Sequence, residues 1–200
     1  MKISLNHLLF IVTGILLSAC DDATEENEEG VVINYPDEKE ELYEFEAFSL
    51  APYQINALIY LPDETADIGA ASVPEVEHEL GGWKWELKLG QKFKMEIIDW
   101  GEENGVALHK EELEDQKHIY DIEYIEDTDN FIYYKRTLKK EGSENSNSNV
   151  GVQHVSYHCL GNHKIEGINY LFRTVELGSP KPITEYIKVS VKNVEEVPNT

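Results

Sequence analysis

Residues 76–89 read Val76-Glu77-His78-Glu79-Leu80, Gly81-Gly82, Trp83-Lys84-Trp85-Glu86-Leu87-Lys88-Leu89. The second run alternates apolar and polar residues without a break, and a two-glycine link between alternating runs signals a β-hairpin. Trp83, Trp85, Leu87 and Leu89 then share one face, the buried one, against Lys84, Glu86 and Lys88. A rival reading takes Ser72 and Glu75 as a capping box that opens a short helix. The prompt return of alternation favours strands, and a third follows at once in Phe93-Lys94-Met95-Glu96-Ile97. A sheet meander is therefore the frame of the fold.

Working outward, Leu42 to Leu50 and Ile55 to Leu61 read as two earlier strands, with a turn near Ala51 to Gln54 and a stop at Pro62. Ala107 to Gln116 is rich in Glu, Leu and Lys and predicts a helix with a weak apolar face. Ile119 to Ile125 and Phe131 to Leu138 predict a strand pair around the acidic turn Glu126 to Asn130. Polar sequence from Lys139 to Asn149 predicts a loop. Beyond it, Gly151 to Ile165 and Ile168 to Leu177 flank a hairpin turn at Glu166-Gly167, and Gly161 marks a bulge. Ile183 to Val194 fits either a strand, through Ile187, Val189 and Val191, or a helix, through Ile183, Ile187, Val191 and Val194.

The chain opens on a different pattern. Lys2, the apolar run Leu8 to Leu17 and the small residues before Cys20 fit a secretory signal over residues 1–19. This ten-residue run, broken only by Thr13 and Gly14, spans only about 15 Å as a helix, roughly half of a hydrocarbon core of about 30 Å. Leu17-Ser18-Ala19-Cys20 resembles the lipobox of bacterial lipoproteins. That resemblance implies acylation of the Cys20 thiol and a mature chain that begins there, with two or three acyl chains exceeding what stable anchoring requires. The lipid bilayer is thus the first expected partner, and the bacterial cell envelope the expected location.

Charge narrows the others. The chain carries 17 Lys plus Arg against 39 Asp plus Glu, a formal net charge of −22. Such a surface repels phosphate backbones, so nucleic acid is not an expected partner. Residues 21–41 hold ten acids against the single Lys39, and they lack the apolar content to offset ordering entropy. Residues 20–41 therefore read as a disordered acidic tether reaching at most about 70 Å. Asp21 after the lipid Cys resembles an inner-membrane retention signal of some lineages, and the acidic cluster resembles a surface-export signal of others. A linker that encodes no sorting is the third reading, and the membrane and leaflet stay open.

Residues 42–197 are read as a single α+β domain. Its strand-rich first half, the helix near Leu108, the run Asp127 to Tyr134, Tyr157-His158, the Gly167 hairpin and Tyr170 before a final amphipathic element resemble small bacterial envelope lipoproteins with a PsbP-like domain. The resemblance implies a twisted antiparallel β-sheet meander flanked by a mid-chain helix and a C-terminal helix, so residues 183–194 are taken as helical. It carries no catalytic residues and implies binding, assembly or accessory roles.

Three groups of residues invite a chemical reading. His154, His158, Cys159 and His163 crowd together, but on a strand His154 and His158 lie about 13 Å apart and Cys159 faces the other way, which does not suit one zinc. The histidines are expected to pair with neighbouring strands or solvent, and Cys159 to be a small buried residue. The turn Glu126 to Asn130 lacks the Gly and terminal Glu of an EF-hand loop. No Gly-x-Ser-x-Gly elbow, His-Glu-x-x-His helix or Walker loop occurs. No metal, cofactor or catalytic residue is nominated, and the chain is expected not to be an enzyme. The aromatics Trp83, Trp85, Trp100, Tyr133, Tyr134 and Tyr157 are expected chiefly to fill the core; as the alternative, Trp100, Tyr133 and Tyr134 are nominated as an exposed binding face. The leading expectation is a nonenzymatic, lipid-tethered binding or accessory protein. The alternatives are an immunity or inhibitor lipoprotein that captures a cationic protein partner, such as a basic toxin or enzyme, and a glycan-active hydrolase.

Overall fold

The computed structural model describes residues 42–66, 73–79, 81–139 and 154–198. The expectations for residues 1–41, Cys20 among them, and for 140–149 lie outside those residues. The fold is a mostly-sheet α+β structure with two helices, α1 (Gly105–Gln116) and α2 (Lys181–Lys192). Strands β3 (Glu75–His78), β4 (Lys84–Leu89), β5 (Phe93–Asp99), β6 (Tyr120–Asp127), β7 (Phe131–Leu138), β8 (Val155–Ile165) and β9 (Ile168–Thr174) form an antiparallel sheet. Its order is β3-β4-β5-β9-β8-β7-β6. A second sheet, ordered β1-β2-β10, joins β1 (Phe45–Ser49), β2 (Ala57–Pro62) and the short β10 (Glu195–Glu196).

Alternation along the strands divides the core in two, since successive side chains of a strand point to opposite faces. One face of the large sheet carries Trp85, Leu87, Leu89, Met95, Ile97, Tyr133, Cys159 and Phe172, which pack with Ile59 and Leu61 of β2 and with Ile183, Ile187 and Val191 of α2. The other carries Ile98, Ile132, Tyr134, Leu160 and Leu171, covered by Val106 and Leu113 of α1. The ambiguity over residues 183–194 resolves as a helix because Ile183, Ile187 and Val191, each four residues from the next, all turn inward. Pro182 in its first turn is compatible with a helix start.

Two expectations about the strands are corrected. The hairpin register does centre on Gly81-Gly82, with His78 opposite Trp85, but the β4 ladder begins only at Lys84. Trp83 lies beyond it and is 64 % exposed, while Trp85 is buried and its Nε1 donates to Tyr53 O (3.0 Å). Gly161 is not a bulge, for it pairs in continuous register with Phe131 and Phe172; the irregularity falls in β6 between Tyr124 and Glu126. Gly161 is instead the point where α2 meets β8, because a Cβ there would overlap Val191 Cγ1.

Candidate functional site

Tyr133 and Tyr134 are adjacent on β7, so they point to opposite faces of the sheet, and each is 1 % exposed. They cannot form one exposed platform. Tyr133 lies in the α2-side core with its hydroxyl donating to Glu185 Oε1 (2.8 Å). Trp100 is half-buried at the end of β5, its ring against Gly105 at the start of α1. Burial of both tyrosines agrees with the core reading and not with an exposed face of Trp100, Tyr133 and Tyr134, and Tyr134 belongs to a site drawn from four separate elements.

That site lies between α1 and the sheet. The helix starts at Asn104, whose Oδ1 accepts from Val106 N (2.9 Å) and Ala107 N (3.2 Å), a side-chain cap of the usual kind. Asn104 Nδ2 donates to Asn130 Oδ1 (3.0 Å), and Lys110 pairs with Asp127 (2.5 Å) and donates to Thr128 O (2.7 Å). The acidic turn compared above with an EF-hand loop thus anchors α1. With few apolar side chains to bury, the helix is held by polar contacts and leaves a cavity of about 250 Å³ beside its middle. Lining it are His109, Glu112 and Gln116 of α1, with Tyr134, Arg136, His158 and Arg173 from β7, β8 and β9. Leu160, Thr174, Val175 and Glu176 complete the wall, the last two in the turn closed by Gly178 N donating to Val175 O (2.8 Å). The turn can press on His158 only because residue 178 lacks a side chain; a Cβ there would stand 2.5 Å from His158 Nε2.

Polar contacts fix the lining groups. His158 stacks on Tyr134, with centroids 4.9 Å apart and planes within 7°, and its Nε2 lies 2.9 Å from Ser156 Oγ. Tyr134 Oη is 3.0 Å from His109 Nε2, and His109 Nδ1 is 3.3 Å from Glu112 Oε2. Both contacts are satisfied when Nδ1 carries the proton, so that Tyr134 donates to His109 and His109 donates to Glu112. Burial, then the nearby Arg173 and Arg136, holds His109 down at about 4. Burial likewise leads for His158, with Arg136, His109 and Arg173 adding to it, and holds that ring at about 3. Both imidazoles are neutral at pH 7. Burial pushes the Tyr134 hydroxyl well above its ordinary range, so it serves as a donor, not a nucleophile.

The two guanidiniums differ. Arg173 Nε and Nη2 both bind Glu96 Oε2 (2.8 and 2.7 Å), and Lys84 takes Oε1 of the same carboxylate (2.6 Å). Arg136 lies over the Tyr120 ring (4.7 Å) and donates from Nη2 to Glu176 O (3.2 Å). No carboxylate lies within ion-pair distance of it among the described residues.

The histidine cluster is dispersed. His158 is in the pocket, while His163 Nε2 lies 2.6 Å from Val191 O on the opposite face. His154 is exposed, and Cys159 is fully buried with its thiol pushed upward mainly by burial. Among the described residues, no group of three or more His, Cys, Asp or Glu is arranged to hold a metal ion, and no helix is long and apolar enough to cross a membrane. His109, Arg136 and Arg173 were not singled out by any sequence motif. For the two arginines alone there is a compositional signal: only two of the 17 Lys and Arg residues are Arg, and both line this pocket.

No protein-family model, curated protein or solved structure matches the chain. Fold and site together define a class only, a mostly-sheet α+β protein with a small polar pocket, lined by two arginines and two glutamates among other residues, between a helix and its sheet.

Proposed function

We propose that this chain is a nonenzymatic binding or accessory lipoprotein of the bacterial envelope, held to a bilayer by acyl chains on Cys20. The observation that carries the reading is Leu17-Ser18-Ala19-Cys20 directly behind a short apolar run and directly ahead of an acid-rich stretch. The element order of the PsbP-like envelope lipoproteins supports it. The pocket beside α1 gives such a protein a place to hold a ligand. In the native host, the wild-type chain is expected to sediment with membranes and to require detergent for release. Cys20→Ser should move most of it to the soluble or unprocessed fraction, as fractionation and immunoblotting would register. An unchanged membrane-bound fraction would overturn the tether.

A second reading, capture of a cationic protein, is favoured by Trp83, exposed beside Glu77, Glu79 and Glu86. An exposed aromatic ringed by carboxylates suits a basic hot spot. It ranks second because Lys88 pairs with Glu77 (2.6 Å) and Glu86 (3.6 Å), which offsets much of that charge.

A further inference from the structure

We infer that the pocket beside α1 binds a small free oxyanion, a phosphate or a short-chain carboxylate, with Arg136 as its principal ligand. Unpaired cations are scarce here. In a chain with 39 acids and 17 bases, a cation normally finds a carboxylate, and the half-buried lysines do so: Lys84 with Glu96, Lys88 with Glu77, Lys110 with Asp127, Lys135 with Glu123, and Lys188 with Glu185. Arg136 is the exception among the described half-buried Lys and Arg residues. A guanidinium withdrawn from water gains from a paired anion, and its planar fork matches carboxylate and phosphate oxygens in a bidentate manner that lysine cannot reproduce.

The surroundings fit the same ligand. Tyr120 beneath the guanidinium and the Glu176 carbonyl orient Arg136 while leaving most of its donors unused. Arg173 also lines the pocket, but its charge is engaged by Glu96, which binds Lys84 as well, and Lys84 lies 3.9 Å from Glu86, so Arg136 is the cation left for an anion there. Gln116 adds an amide from the helix. Glu112 and Glu176 also line the cavity; Glu112 accepts from His109, and Glu176 is exposed. They favour a compact anion that reaches the guanidiniums over a large one that must pass both carboxylates. A cavity of about 250 Å³ falls below the ~300–1,000 Å³ of drug-sized sites, which sets the same limit.

The inference rests on the binding role proposed above and is independent of the lipid, so its test uses the full-length chain carrying Cys20→Ser. Inorganic phosphate and succinate are titrated separately, by calorimetry at pH 6 and by NMR of the His109 and His158 ring protons followed over a pH series with and without the probe. At least one probe is expected to bind with a Kd at or below about 1 mM and to raise the pH at which these imidazoles titrate, as an anion beside them must. Arg136→Gln and Arg136→Lys should each weaken binding at least about tenfold, whereas Lys94→Gln, which removes an exposed charge outside the pocket, should change it less than about twofold. Circular dichroism verifies that each variant is folded. If Arg136→Gln fails to fold, the imidazole shifts in the unsubstituted pocket decide the question. Neither probe binding, or binding that is indifferent to Arg136, would overturn the inference. Membrane fractionation of the Cys20-containing chain is a separate result, so loss of the ligand leaves the tether standing.

Discussion

Gly161→Ala is expected to destabilise the protein by about 2–3 kcal/mol, the upper range for an overpacked core. The added methyl would occupy the space of Val191 Cγ1 in the last turn of α2, and Val191 is fully buried. Neither side yields easily. Gly161 is paired on both flanks, to Phe131 and to Phe172. Val191 is a stiff β-branched residue whose carbonyl is held by His163 Nε2 at 2.6 Å. The helix must therefore lift, which opens contacts made by Ile183 and Ile187. Val191→Ala in the same chain removes the overlapping methyl and should restore about 1 kcal/mol or more relative to the sum of the single changes. Urea unfolding of the four proteins measures this coupling. A Gly161→Ala protein within about 0.5 kcal/mol of wild type would show that α2 does not rest on this glycine.

The second large effect is a loss of stability in acid. His158 and His109 titrate at about 3 and about 4 in the folded protein, against about 6.5 in an unfolded chain. Between those limits the unfolded state holds more protons, so stability rises with pH. The contribution is complete above pH 6.5 and is lost progressively as the pH falls toward the folded values. By pH 4 the loss from His158 alone is on the order of 3 kcal/mol. His158→Asn lowers stability at pH 7.5, where the stack on Tyr134 and the Ser156 contact are lost, but it also removes this acid sensitivity. The gap between the two proteins should therefore narrow by about 2–3 kcal/mol between pH 7.5 and pH 4, as denaturant midpoints across that range would record. The many surface carboxylates titrate in both proteins and largely cancel in the comparison. Parallel curves would mean that His158 is not held neutral by burial.

Much of the architecture is legible in the chain because its strands obey a period of two. Phe131 to Leu138 has the same bounds in sequence and in space, and Lys84 to Leu89 shows its buried face at every second residue. The Glu166-Gly167 link sets the β8–β9 register, with Ile165 opposite Ile168. Three features are hidden for physical reasons. The neighbours of a strand are not encoded in its own periodicity, so the pairing of β5 with β9 and the separate β1-β2-β10 sheet cannot be seen there. Alternation predicts the face of Trp83 but not where the covering elements stop. A glycine inside a strand signals a bulge or a close approach, and only α2 seated on Gly161 distinguishes them.

The site is harder to read than the fold. His109, Tyr134, Arg136, His158 and Arg173 come from a helix and three strands, and no spacing within one segment links them. Two inferences are nonetheless within reach of the sequence. Tyr134 and Arg136 must share a face because they are two residues apart on β7, and Tyr133 and Tyr134 must not. The scarcity of Arg beside abundant Lys is also plain from composition alone.

The state of Cys20 decides whether this is a lipoprotein, and mass spectrometry of the N-terminal peptide from membrane-associated protein reads it most directly. The expected peptide begins at Cys20, lacks residues 1–19, and carries the added mass of a thioether-linked diacylglycerol. A peptide that begins elsewhere, or one that begins at Cys20 with a free thiol, would contradict the lipoprotein reading.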